Sequence, residues 1–151
     1  MAQLPAKGID ISEFNGDVDL EALKGQVDFV IIRCGYGSDI DSQDDVQFAN
    51  NVRKCEAAGI PWGTYLYSYA QNTDMARSEA AHTLRLLQGR RPAYGVWYDV
   101  EDSSLPAGEA LVDNVVAYCQ AVEQAGLYVG VYSFLYWMQT RLNSPRLDPY
   151  D

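Results

Sequence analysis

The sequence predicts an α/β fold assembled from parallel βαβ units. Three observations carry this. Short apolar, β-branched runs recur along the chain, amphipathic segments of helical period separate them, and glycine or proline stands at the junctions. Gly8-Ile9-Asp10-Ile11-Ser12 reads as a short first strand. Phe29 to Cys34 is a β-branched run of the kind found in buried parallel strands. The helix after it sets Phe48, Val52 and Cys55 on one face and stops at Gly59, with Pro61 just beyond. Trp62 to Tyr69 is the third strand. Thr73 to Gln88 is helical, with Ala76, Ala80, Leu84 and Leu87 in one stripe and Gly89 as the stop. Tyr94 to Val100 is the fourth strand. Pro106 opens a helix whose stripe is Leu111, Val115, Tyr118, Cys119 and Val122, and Gly126 ends it. Leu127 to Tyr132 is the fifth strand, and Phe134 to Leu142 reads as a last helix.

The 151 residues suit one domain, 1–151, large enough to bury a core without staples. Two architectures fit five βα units. A doubly wound five-stranded sheet matches the length, whereas an eight-stranded βα barrel usually needs roughly 200 residues or more. Length alone favours the open sheet. Against a nucleotide site, the stretch after the first strand, Ser12 to Asp17, holds one glycine and two acids and would repel phosphate.

Composition closes off other classes. Asp and Glu number 21 against 11 Lys and Arg, which argues against nucleic acid and anionic membrane as partners. No apolar run approaches the ~20 residues of a membrane span. The opening Met1 to Lys7 lacks the apolar stretch of a signal peptide. Cys34, Cys55 and Cys119 are an odd, widely spaced set that reads as buried free thiols rather than a disulfide framework. The single histidine, His82, lies within a helical pattern and reads as a satisfied or surface residue. No spacing suggests a metal site.

The strongest chemical signal is Trp97-Tyr98-Asp99-Val100-Glu101-Asp102. Acids two apart on a strand share a face, and these fall at the strand's C-terminal end, where βα folds place their sites. Two such close carboxyls resist joint ionisation, which prepares one of them to act as an acid near neutral pH. Asp10 ends the first strand at the matching level. Asp102, Ser103 and Ser104 read as caps of the following helix. Tyr65, Tyr67 and Tyr69 alternate along the third strand and Tyr132 ends the fifth, as sugar-stacking faces or as core. Trp62 and Trp137 read as packing. Arg33 could clasp a carboxylate in paired hydrogen bonds or sit in an ordinary ion pair.

Taken in order, these residues resemble glycoside hydrolase family 25, the bacterial and phage lysozymes of N-acetylmuramidase type. The resemblance begins with Lys7-Gly8-Ile9-Asp10-Ile11-Ser12 and Asn15-Gly16, and continues through Phe29-Val30-Ile31-Ile32-Arg33. Asp45-Val46-Gln47-Phe48 with Asn51, Ala57 to Ile60, and Gly63-Thr64-Tyr65 with Tyr67 follow. Asp99-Val100-Glu101 matches the family's acid-x-acid motif, and Gly130-Val131-Tyr132-Ser133 its fifth strand.

The resemblance implies a TIM-like (β/α) barrel, incomplete here at about five βα units. It implies a glycosidase that cleaves the β-1,4 bond between N-acetylmuramic acid and N-acetylglucosamine in peptidoglycan, with retention. Glu101 would be the general acid and then the base. Asp99 would orient the substrate's N-acetyl group or stabilise the developing charge, and Asp10 would hold the acid cluster. Tyr65, Tyr67, Tyr132 and Arg33 would bind the glycan. No metal or cofactor is implied. The family's last three strands are missing from the sequence, so the expectation is a catalytic domain with open sheet edges, across which two copies could pair. Its place of action would be the bacterial cell wall. The alternatives are a catalytically impaired fragment that binds cell-wall glycan, and a doubly wound nucleotide or flavin binder.

Overall fold

The computed structural model describes residues 5–150. Five strands form one parallel sheet in the order β1-β2-β3-β4-β5, each beside its neighbour in sequence. They are β1 (Gly8–Ile11), β2 (Phe29–Tyr36), β3 (Trp62–Tyr67), β4 (Val96–Asp99) and β5 (Val129–Tyr132). Between them run α1 (Phe48–Ala58), α2 (Thr73–Leu87) and α3 (Glu109–Gln124), and α4 (Leu135–Gln139) follows β5. A doubly wound sheet reverses its strand order at a switch point. This sheet has no reversal, so right-handed crossovers carry the intervening helices to one side. Length had favoured the open doubly wound sheet; the topology is instead that of a barrel wall. Barrel closure is not seen among the described residues: β1 and β5 each have a strand partner on one side only.

The two faces of the sheet therefore differ. On the helix side Val30, Ile32, Cys34, Thr64, Leu66, Val96, Tyr98, Val100 and Val129 are buried, with α1, α2 and α3 packed over them. The opposite face carries Asp10, Ile31, Arg33, Tyr65, Tyr67, Trp97, Asp99 and Tyr132. Several of these are only half-buried. The registers align Ile31 with Gly63, Arg33 with Tyr65 and Trp97, and Tyr67 with Asp99 and Tyr132. One irregularity interrupts β2. Arg33 pairs with Tyr65 but Gly35, not Cys34, pairs with Leu66, so a bulge adds one residue there.

Local chemistry explains the element ends. Gly59 takes the left-handed conformation (φ 68°) that closes α1, and its N–H returns to Cys55 and Glu56. Asn72 caps α2 through Met75 N–H. Gly63 has no room for a side chain: a Cβ there would stand 2.7 Å from the Tyr94 carbonyl and 2.8 Å from Ile31 Cδ1. Other boundaries fall inside those expected. β3 ends at Tyr67 and β4 spans only Val96–Asp99. Pro106 does not open a helix. α3 starts at Glu109 behind Gly108, because Asp102 to Leu105 are used in a turn closed by the Leu105 N–H to the Asp102 carbonyl, with Leu105 buried. The three cysteines are free and buried. His82 is buried too, its Nδ1 2.9 Å from the Gly37 carbonyl and its Nε2 2.8 Å from Asp44. Trp62 and Trp137 are packed in the core. The first four residues of the stretch read for a signal peptide, and Asp151, lie outside the described residues.

Candidate active site

The acids are delivered by strand ends. Asp99 is the last residue of β4, and the ladder runs one step further, Val100 N–H donating to the Tyr132 carbonyl at 2.9 Å. That extension keeps the alternation going, so Val100 turns into the helix-side core and Glu101 shares Asp99's face. Asp99 is 6 % exposed and its Oδ1 is buried without a hydrogen-bond partner. Orphaned buried acceptors are rare and call for a reason. Burial, with the charges of Glu101 and Asp10 next, pushes the Asp99 carboxyl up to about 8. Burial also raises Glu101, which is half-buried. The pair therefore holds a proton near neutral pH. Asp10 is exposed, on the same face of β1. The structure thus brings Asp10, Asp99 and Glu101 together.

Aromatic groups frame them. Burial pushes the Tyr132 phenol up, and the charges of Glu101, Asp99 and Asp10 add to it, which places Tyr132 beside all three acids. Its ring is 56 % exposed. Burial likewise raises Tyr65, half-buried next to Arg33 on the neighbouring strand. Tyr67 donates to Asp102 Oδ2 at 3.2 Å, and its ring lies 5.2 Å from that of Tyr69. Asp102 caps no helix; its Oδ1 accepts from Ser104 N–H and Oγ, at 2.9 and 2.6 Å. Tyr69 lies beyond the strand, with its ring edge-on to Tyr36 at 6.0 Å.

Arg33 is committed within the protein. Its Nε donates to Asp45 Oδ2 at 2.8 Å and its Nη2 to Glu13 Oε1 at 2.6 Å. Its guanidinium lies 4.7 Å from the centre of the Phe14 ring and 5.9 Å from that of Tyr36. Asp45 also accepts from the Glu13 and Gln47 N–H groups, so it ties the turn after β1 to β2. Sequence reasoning assigned no role to Glu13 or Asp45. It also missed Glu79, although a carboxylate three residues after Ala76 and one before Ala80, on the stripe of a helix, is a signal for a buried polar anchor.

The profile of the family described as Glycosyl hydrolases family 25 matches residues 9–149, which include all three acids. The chain belongs to this family. Solved structures agree. The modular autolysin LytC of Streptococcus pneumoniae is 33% identical, with a TM-score of 0.84, over 94% of this chain and 35% of that one. LytC has also been solved in complex with a synthetic peptidoglycan ligand. The catalytic domain of endolysin ply40 from Listeria monocytogenes bacteriophage P40 (23% identity, TM-score 0.81) is matched over 95% of this chain and 71% of that one. A family 25 glycosyl hydrolase from Bacillus anthracis (21% identity, TM-score 0.80) is matched over 98% and 70%. These last two share the fold. This family 25 chain spans about a third of the length of the LytC structures. A comparison with curated protein sequences returns no match. No helix among its described residues is long and apolar enough to cross a membrane.

Proposed function

We propose that this family 25 chain is a muramidase that cleaves the β-1,4 bond between N-acetylmuramic acid and N-acetylglucosamine in peptidoglycan. The observation that carries the reading is the Asp99–Glu101 pair, raised in proton affinity at the C-terminal end of β4, with Asp10 beside it. Glu101 stands nearer solvent than Asp99, where a glycosidic oxygen can reach it. It donates the pair's proton to that oxygen as the bond to the anomeric carbon breaks. The substrate's own N-acetyl oxygen closes on the anomeric carbon from the other face, oriented by Asp99, and gives a cyclic intermediate. Glu101, now a carboxylate, takes a proton from water as the water opens that ring. Two displacements give net retention. Burial favours the pair's proton on Asp99 in the free protein. A seated N-acetyl N–H donates to Asp99 Oδ1, the partner that atom lacks, which favours the Asp99 carboxylate and leaves the proton with Glu101. Asp10 stands on the same face of the sheet, on β1. Tyr65, Tyr67 and Tyr132 present ring faces to the sugars. Arg33 contributes through Asp45 and Glu13, by fixing the turn after β1.

A second reading, a glycan binder with impaired turnover, draws on the exposure of Tyr132 and of the β1 and β5 edges. Those same edges would let two copies pair, and light scattering of a compact monomer at high concentration would count against such a homodimer. Digestion of purified peptidoglycan, with reduced products read by mass spectrometry, decides between enzyme and binder. New reducing-end N-acetylmuramic acid from the native chain and none from Glu101→Gln is the expected outcome. No product from either protein, with glycan affinity kept in both, would overturn the muramidase in favour of the binder.

A further inference from the structure

We propose that Glu79 is a positioning residue that locks the site ends of β3 and β4 from behind the sheet, and so fixes where Asp99 stands. The inference rests on the reading of Asp99 as a site residue. Glu79 lies on the sheet-facing side of α2 and is fully buried. Its Oε2 accepts from the Tyr98 hydroxyl at 2.6 Å and from Ser68 Oγ at 2.8 Å. Its Oε1 accepts from the Tyr69 N–H at 2.8 Å. The two hydroxyls also meet each other at 2.9 Å, so Glu79, Ser68 and Tyr98 form one closed network, and burial raises the proton affinity of Glu79. Beyond the tyrosines, the titratable side chain that faces it is His82, one turn on, itself held by Asp44 and the Gly37 carbonyl.

Each of the three donors leads to the site. Tyr98 immediately precedes Asp99, and its ring is clamped flat against Tyr118, with centroids 3.8 Å apart and planes 6° apart. Tyr98 points to the helices, so Asp99 must point the other way. Ser68 donates its N–H to the carbonyl of Asp99 at 2.9 Å. Tyr69 follows Tyr67 by two residues, and their rings touch. Glu79 therefore bonds the residue before Asp99 and the residue that holds Asp99's own carbonyl. Neighbouring positions on this face of α2 are filled by Ala76, Ala80 and Leu87, so an apolar side chain would suit a helix–sheet contact. A buried carboxylate costs solvation that an apolar residue would not. What it adds is direction: its bonds act on the C-terminal ends of two adjacent strands, where the chemistry is placed.

The test uses the full chain with 13C-labelled aspartate, and follows the Asp99 carboxyl through a pH titration by NMR. The Asp99→Asn spectrum assigns the signal, and amide exchange at Tyr69 is read alongside. Glu79→Gln and Tyr98→Phe both loosen the strand end and let water reach Asp99. The expected result is that Asp99's proton affinity falls about tenfold or more and that the Tyr69 amide exchanges about tenfold faster. Cys55→Ala trims the buried core under α1, which packs on β2 and makes no contact with the Glu79 carboxyl, so it should move neither. An unchanged Asp99 titration in the two folded variants, or an equal shift in Cys55→Ala, overturns the proposal. Should Glu79→Gln fail to fold, Tyr98→Phe decides, since it keeps the stacked ring. No glycan is cleaved in this measurement, so a chain that proves to lack turnover would sink the muramidase reading and leave this one standing.

Discussion

Replacing Asp99 with asparagine should make the protein more stable, and more so as pH rises. Asp99 is carried from 3.8, the ordinary value, to about 8 by burial and by Glu101 and Asp10. Because the folded value lies above the unfolded one, the unfolded chain gives up its proton first. Stability is full at pH below the unfolded value, and it is lost as pH climbs through the folded value. At pH 7 the gap between pH and the unfolded value is about 3 pH units, or about 4 kcal/mol at full weight. Local relaxation and water penetration reduce such costs, and about 2 kcal/mol is the expected gain for the neutral isostere. In a chain of this length that is a rise in Tm of about 4–8 °C. Calorimetric or circular-dichroism melts of both proteins from pH 4 to pH 9 would measure it. The two curves should meet near pH 4 and separate steadily to a plateau above pH 8. A gap of the same size at pH 4 and pH 9, or a variant less stable at pH 8, would refute the reasoning.

Further outcomes follow from other contacts. Glu101→Gln should lower peptidoglycan cleavage by about 10²–10⁴-fold while leaving the melting curve near that of the parent, read from released reducing ends. Arg33→Met removes the cation beside Asp45, whose side chain has no solvent exposure, and should cost about 3 kcal/mol in urea unfolding. An unchanged midpoint would mean that the backbone N–H groups alone satisfy Asp45. Gly63→Ala drives a methyl against the Tyr94 carbonyl between β3 and β4 and should cost about 1–3 kcal/mol, seen as a lower urea midpoint with an unaltered slope.

Much of this arrangement is legible in the residues. The Phe29 to Cys34 run, the Gly59 stop and the alternation of Asp99 with Glu101 each follow from backbone geometry acting over a few positions, and each appears in the structure. What local pattern did not carry was long-range. Pro106 has the right identity to open a helix, but Asp102 to Leu105 close a turn ahead of it and the helix waits for Gly108. The α2 stripe was read from apolar residues alone. Leu84 proves only half-buried, while Glu79, His82 and Thr83 lie inside, because partners at the β3 exit, on β4, at the β2 exit and on α3 bond them there. Strand order was also beyond pattern: length pointed to a doubly wound sheet, and only the unreversed order β1 to β5 excludes it.

The bulge in β2 has a further consequence. A strand counts in twos: odd positions serve one side of the sheet, even positions the other. Arg33 and Tyr36 are three apart and on an unbroken strand would be strangers, yet the guanidinium lies over the tyrosine ring. The extra residue at Cys34 changes parity midway, so even-numbered positions of β2 face the helices as far as Cys34, whereas Tyr36 faces the side of the sheet that carries Tyr67 and Asp99. Deleting that one residue would let the strand alternate without interruption and leave Tyr36 on the face of Arg33, with Gly35 alone turned to the helices. An unbulged strand of the present length would instead turn Tyr36 towards the helices, away from Tyr67 and Asp99.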